Sequence, residues 1–153
     1  MSQLMAATSA DSLELITFRT GDMLFGLNIR QVREINCQLP LTPLPCDARH
    51  LCGVISLRGD VLTVLNLNAL VGLPPSPRRS DGTFVIFEVD GERMALCVDA
   101  VDDIVSCERA QLLPVPESFP VRCASDFSGV LPTASELLYV LDPQMFAAER
   151  REE

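Results

Sequence analysis

Residues 83–105 read TFVIFEVDGERMALCVDAVDDIV, and this stretch decides the fold. Two aliphatic and β-branched runs flank Asp90-Gly91, a tight-turn signal, so the segment reads strand, turn, strand. Upstream, residues 13–29 read LELITFRTGDMLFGLNI, two apolar runs split by Thr20-Gly21-Asp22. Phe25, Leu27 and Ile29 alternate with Gly26 and Asn28, which puts one face inside and the other outside.

The two stretches align at an offset of 69 residues. Phe18 then meets Phe87, Leu27 meets Leu96, Ile29 meets Val98, Val32 meets Val101 and Ile35 meets Ile104. Turn falls on turn, and Leu44-Pro45 falls on Leu113-Pro114. Further on the offset becomes 76 residues. Gly53-Val54-Ile55 meets Gly129-Val130-Leu131, Leu62 meets Leu138, and Val64-Leu65 meets Val140-Leu141. Registered turns and Leu-Pro pairs mark an internal repeat rather than shared alternation. GVISLRGDVLTVLNL (53–67) and SGVLPTASELLYVLD (128–142) are the late hairpins of the two copies.

The repeat predicts an all-β chain of two small five-stranded barrels packed together, with short helical turns and a short C-terminal helix from PQMFAAERREE. The expected layout is a flexible tail over 1–11 and a domain over 12–150. Within it, barrel 1 spans about 15–75, a Pro/Ser-rich linker about 73–82, and barrel 2 about 82–147. Close-spaced turns predict antiparallel pairing. Phe18, Leu27, Ile29, Val64, Leu65, Phe87, Leu96, Val98, Val140 and Leu141 are the expected core, with a cleft between the barrels. RQVREI (30–35) is one helical turn or an irregular strand that buries Val32 and Ile35 and turns Glu34 away. Asp47 to Leu51 suits a short helical turn, and the proline-rich LPLTPLP (39–45) suits a loop or edge segment.

Composition narrows the function. The 153 residues are 48% hydrophobic and 22% charged, enough for a sizeable core. Twelve Lys+Arg against 21 Asp+Glu give a net charge of −9. Such a chain repels nucleic-acid phosphates and anionic membrane surfaces. No run of 18 apolar residues suggests a membrane span, and the first residues resemble no secretory signal, so a cytosolic protein is expected. Six cysteines (37, 46, 52, 97, 107 and 123) then read as reduced, mostly buried thiols.

Catalysis finds little support. The one histidine, His50, sits in CDARHLCG, where Cys46, His50 and Cys52 lack the usual spacing of a zinc site, so no metal is expected. Glu88, Asp90 and Glu92 ring a turn and read as a solvated face, as do Asp99, Asp102 and Asp103. No phosphate-binding glycine loop occurs. Neither a catalytic residue nor a cofactor is predicted.

Arg58 stands out. The repeat places Ala134-Ser135 where the first copy has Arg58-Gly59, so the turn itself does not need an arginine. On a hairpin tip or cleft rim, its rigid five-donor fork suits recognition. Glu34, whose counterpart is Asp103, is an acid of the same half and a candidate ion-pair partner for Arg58.

These residues resemble the CheW-like domain family of chemotaxis coupling proteins. The resemblance runs through FRTGDMLFGLNIRQVREI (18–35), LTPLP (41–45), GVISLRGDVLTVLNL (53–67), ALCVDAVDDI (95–104), LLPVP (112–116), SGVL (128–131) and LLYVLD (137–142). It implies two SH3-like barrels and a non-enzymatic scaffold. Such a scaffold joins the cytoplasmic tips of chemoreceptors to the regulatory domain of a CheA-type histidine kinase, at receptor arrays beneath the inner membrane. By the same resemblance Arg58, in SLRG, falls in the receptor-contact region. Glu34 and Val32 fall in a segment tied to coupling, and Gly53 and Gly59 match the family's hairpin glycines. The chain departs from the family pattern at Ser56, Ala95 and Asn66-Leu67-Asn68, which leaves room for a paralogue serving a surface-sensing or pilus array. A thiol-responsive binding module using Cys37, Cys46 or Cys52 is the other alternative.

Overall fold

The computed structural model describes residues 11–37, 39–43, 50–71, 83–116 and 127–146. Its strands are β1 (Ser12–Thr20), β2 (Met23–Asn28), β3 (Val32–Asn36), β4 (Leu51–Leu57), β5 (Asp60–Leu65), β6 (Thr83–Val89), β7 (Glu92–Val98), β8 (Ala100–Glu108), β9 (Phe127–Pro132) and β10 (Leu137–Leu141). Short helical turns lie at Ile29–Gln31, Arg109–Gln111 and Pro143–Phe146, with a five-residue helix at Leu67–Val71. The chain is therefore all-β. The expected tail, the 73–82 linker, most of the 47–51 turn and the end of the C-terminal helix lie outside the described residues. His50 stands in a turn and Leu51 already begins β4.

Two five-stranded sheets form, in the orders β8-β1-β2-β10-β9 and β3-β6-β7-β5-β4. Substituting each strand by its repeat counterpart turns the first order into the second. The repeat is thus structural, but its copies are not separate sheets. Each sheet takes two strands from one copy and three from the other, which corrects the expected split into barrels over 15–75 and 82–147. All four predicted hairpins are present, because turn chemistry specifies local pairing. Which hairpin lies beside which is a long-range choice that turns do not encode.

The junction between copies is parallel, a second correction to the expected antiparallel pairing. Val140 pairs with Gly26 in one sheet and Val64 with Ala95 in the other. These are equivalent positions at the same register, so Ala95 fills the place of Gly26. Parallel strands need a long connection between them, and here they come from different copies.

Three apolar clusters hold the sheets. Each sheet has an inner set, with Leu15, Leu131, Leu138 and Val140 in one and Phe84, Ile55, Leu62 and Val64 in the other. A shared core lies between them, built on Phe18, Phe25, Leu27, Leu65, Phe87, Leu96, Leu141 and Phe146. Phe87 and Phe146 meet there with ring centroids 4.7 Å apart, in the range of favourable aromatic pairs. Nine of the ten expected core residues are buried, and Ile29 is partly buried against the shared core.

Two glycines explain how the loops cross. Gly53 has φ +153°, and a Cβ there would lie 2.2 Å from the Thr42 carbonyl oxygen. Thr42 and Val54 exchange backbone hydrogen bonds of 2.8 and 2.9 Å at this crossing. In the other sheet Gly129, at φ +156°, is met by Leu112 and Leu113, and Leu113 pairs with Val130. The proline-rich segments are therefore held as edge pieces at Thr42 against β4 and at Leu113 against β9.

Candidate functional site

The β4–β5 hairpin turns through Arg58 and Gly59, with Leu57 opposite Asp60. Both central residues have positive φ, 51° for Arg58 and 87° for Gly59, as a type I′ turn requires. The β6–β7 turn does the same with Asp90 and Gly91, at 54° and 82°. Any Cβ crowds the following carbonyl there; aspartate is favoured because its short polar side chain hydrogen-bonds the local backbone, a compensation arginine lacks. Arg58 therefore occupies a strained position that its backbone preference does not explain. Gly59 is needed for the turn, and nothing lies within 4 Å of where its Cβ would be.

Glu34 reaches the same place from β3. Between Val32 and Glu34 the pairing of β3 with β6 shifts register, and such a bulge changes which side chains face inward. Val32 packs on the shared core, Glu34 is half-buried and Ile35 is 42% exposed. This corrects the expectation that Ile35 is buried, while Glu34 is turned to the pair with Arg58.

The expected Arg58–Glu34 ion pair forms. Arg58 donates from Nη1 to Glu34 Oε1 at 2.7 Å and from Nη2 to Oε2 at 3.2 Å, a two-pronged contact. The pair holds the Glu34 carboxyl below its usual range, chiefly through the hydrogen bonds from Arg58, while burial works against the shift. The Arg58 side chain remains 69% exposed, so much of its fork faces solvent. β3 and β4 are opposite edges of their sheet. The pair thus shows that the sheet curls until the β4–β5 tip meets β3.

Two neighbouring ion pairs escaped the sequence reading. Arg33 lies 3.2 Å from Glu88, and Arg93 pairs with Asp60. Charged residues on exposed strand faces are common, so only cross-strand register singles these out. The other sheet carries a charge-swapped counterpart, in which Arg19 pairs with Asp102 at 3.3 Å. Arg19 is the repeat equivalent of Glu88, and Asp102 of Arg33. Arg19 also binds Glu136 of the β9–β10 loop, and that hydrogen bonding keeps the Glu136 carboxyl below its usual range.

The remaining candidates separate. Gly53 lies back along β4 from the tip, where its conformation serves the Thr42 crossing. A cavity of about 530 Å³ does lie where the first sheet meets the β6–β7 turn, lined among others by Leu15, Arg30, Asp90 and Val140. Arg58 and Glu34 do not line it; of the two places expected for Arg58, hairpin tip or cleft rim, the turn geometry puts it at the tip. Of the four described cysteines, Cys37 is exposed, Cys52 and Cys97 are half-buried and only Cys107 is buried, which corrects the expectation of mostly buried thiols. Cys46 and Cys123 lie outside the described residues. Among the described residues no helix is long and apolar enough to cross a membrane.

Comparison with known proteins agrees with this architecture. A family model described as the CheW-like domain matches residues 14–151. Chemotaxis protein CheW of Rhizobium meliloti (strain 1021) is 34% identical over 145 residues, covering 91% of this chain and 90% of that protein. Probable chemotaxis protein CheW of Rhizobium etli is 36% identical over 117 residues, 76% of each chain. Scaffolding protein TtCheW from Thermoanaerobacter tengcongensis has a crystal structure that matches with a TM-score of 0.77 over 94% of this chain and 93% of that one, at 22% identity. With a family model spanning nearly the whole chain and a relative 34% identical over 91% of it, the chain belongs to the CheW-like domain family.

Proposed function

We propose that this protein is a non-catalytic scaffold that couples the cytoplasmic tips of chemoreceptors to the regulatory domain of a CheA-type histidine kinase. It works in the cytoplasm, at receptor arrays beneath the inner membrane. Arg58, Glu34 and the hairpin around Gly59 form the receptor-facing site, with Val32 and Gly53 supporting it. The observation that carries this reading is Arg58 itself. An arginine strained into a type I′ turn, shared with one acid yet 69% exposed, has donors left for a partner.

A scaffold needs a second surface. Exposed apolar residues occur at equivalent places of the two copies, Ile35 with Ile104 and Val61 with Leu137. Each sheet thus offers an aliphatic pair of the kind that anchors protein interfaces. Among the described residues the β4–β5 turn itself carries an arginine that is 69% exposed, whereas the β9–β10 tip holds Arg19 from a neighbouring strand, 39% exposed and bound to two acids, so the two surfaces suit different partners.

The test is simultaneous binding. The full chain, a cytoplasmic fragment of the cognate chemoreceptor and the kinase regulatory domain are mixed and sized by light scattering. A ternary complex is expected. Competition between the two partners for one site contradicts the reading.

A further inference from the structure

Six charged side chains alternate in sign around the sheet that carries Arg58. Arg33 on β3 lies 3.2 Å from Glu88 on β6. Glu88 is the cross-strand partner of Arg93 on β7. Arg93 pairs with Asp60 at the start of β5. Asp60 closes the turn that carries Arg58, and Arg58 reaches back 2.7 Å to Glu34, the chain neighbour of Arg33. The row starts on β3, crosses β6, β7 and β5, and returns to β3.

The repeat does not require this row. The counterpart of Arg93 in the other copy is Leu24, which is buried against the inner core. The counterpart of Asp60 is Glu136, which binds Arg19 instead. Arg93 is thus an arginine where the same scaffold elsewhere uses an aliphatic residue. Exposed ion pairs contribute little to stability one at a time, so the row is better understood by what it holds in place.

We infer that Arg93 is a positioning residue for the Arg58 site, fixing the hairpin tip through Asp60 so that Arg58 meets its partner in one orientation. The inference rests on the proposed function and deepens it. Arg58 has two tethers, Glu34 on its side chain and Asp60 on the exit side of its turn. Arg93 holds the second directly and also acts on the first, since its charge favours the ionised form of Glu34. Without Arg93, the tip keeps its fold and loses its fixed direction.

The experiment is a double-mutant cycle in the full chain, the direct measure of coupling between residues. Arg93→Gln, Arg93→Lys and Asp60→Asn are made in wild-type and Arg58→Ala backgrounds. Affinity for a cytoplasmic fragment of the cognate chemoreceptor is measured beside thermal melting. Arg93→Gln is expected to weaken binding about three- to tenfold with melting nearly unchanged, and Arg93→Lys to recover part of the loss. In the Arg58→Ala background, Arg93→Gln is expected to change binding less than about twofold. Independently of any partner, nitrogen relaxation at Arg58 Nε is expected to report a more mobile side chain in Arg93→Gln and in Asp60→Asn. Equal losses in both backgrounds, or an unaltered Arg58 side chain in both variants, overturn the inference. If Arg58→Ala weakens binding and Arg93→Gln does not, only this inference fails. If Arg58→Ala binds normally, the proposed site fails and the inference with it.

Discussion

Arg58 binds Glu34 through two hydrogen bonds, 2.7 and 3.2 Å long, from a backbone conformation that favours asparagine or glycine over arginine. The side chain and its main chain thus pull in different directions. Local disagreement of this kind is where a fold gives up stability for function.

The first prediction follows from that conflict. Arg58→Asn relieves left-handed strain of about 1 kcal/mol and loses a solvent-exposed ion pair of the kind that contributes little to stability. Melting is expected to hold or to rise by up to about 4 °C, while receptor binding falls. Differential scanning calorimetry beside a binding assay checks it. A fall in melting of more than about 4 °C would make Arg58 a structural residue.

Gly53 supplies the second. Alanine there meets both an unfavourable φ of +153° and the Thr42 carbonyl oxygen at 2.2 Å. Gly91→Ala meets only the unfavourable φ of +82°, with open space around it. Gly53→Ala is expected to cost about 3 kcal/mol or more, and Gly91→Ala about 1 kcal/mol. Urea unfolding of the two variants checks the order. Equal costs would mean that the crossing segment yields easily.

The legible part of this fold was local. Asp90-Gly91, Arg58-Gly59 and the Gly21 turn each announced a hairpin, and all of them formed. The exchange of strands between copies was not legible. Every hairpin keeps its own turn whichever neighbour it takes, and Val140 beside Gly26 is a contact between distant segments. The site was half legible. The Arg58–Glu34 pair followed from an arginine that its turn did not need. The exposure of Ile35 did not, because a bulge at Val32 leaves no mark in an alternating pattern. Arg93 was hidden among ordinary surface charges until Asp60 was seen beside it.

Acid provides the third prediction. Glu34 and Glu136 both have lowered carboxyl values in the folded chain, each chiefly through hydrogen bonds from an arginine. A lowered folded value means that protons bind the unfolded chain more readily. The stability from these pairs is therefore present above the ordinary glutamate range near pH ~4.3 and lost as pH falls through the lowered values. Melting temperature measured against pH should fall less steeply below pH ~4 in Glu34→Gln than in wild type. Identical acid slopes would contradict a contribution from the pair.

Thiol chemistry provides the fourth. Burial raises the Cys107 thiol above its usual value, and Cys37 lies exposed just after β3. Among the four described cysteines, a thiol reagent with peptide mapping is expected to label Cys37 first, Cys52 and Cys97 more slowly, and Cys107 only on unfolding. Early labelling of Cys107 would contradict the packing of the first sheet.

The proposed coupling scaffold depends on Arg58 as its recognition residue. The most direct test is receptor-dependent activation of the cognate kinase, reconstituted with wild-type protein and with Arg58→Ala, with melting recorded for both. Activation is expected to fall sharply, as for an interface anchor worth about 2 kcal/mol or more. Melting is expected to change little, since exposed substitutions usually stay within about 0.5 kcal/mol. Full activation by Arg58→Ala at unchanged melting temperature would contradict the account.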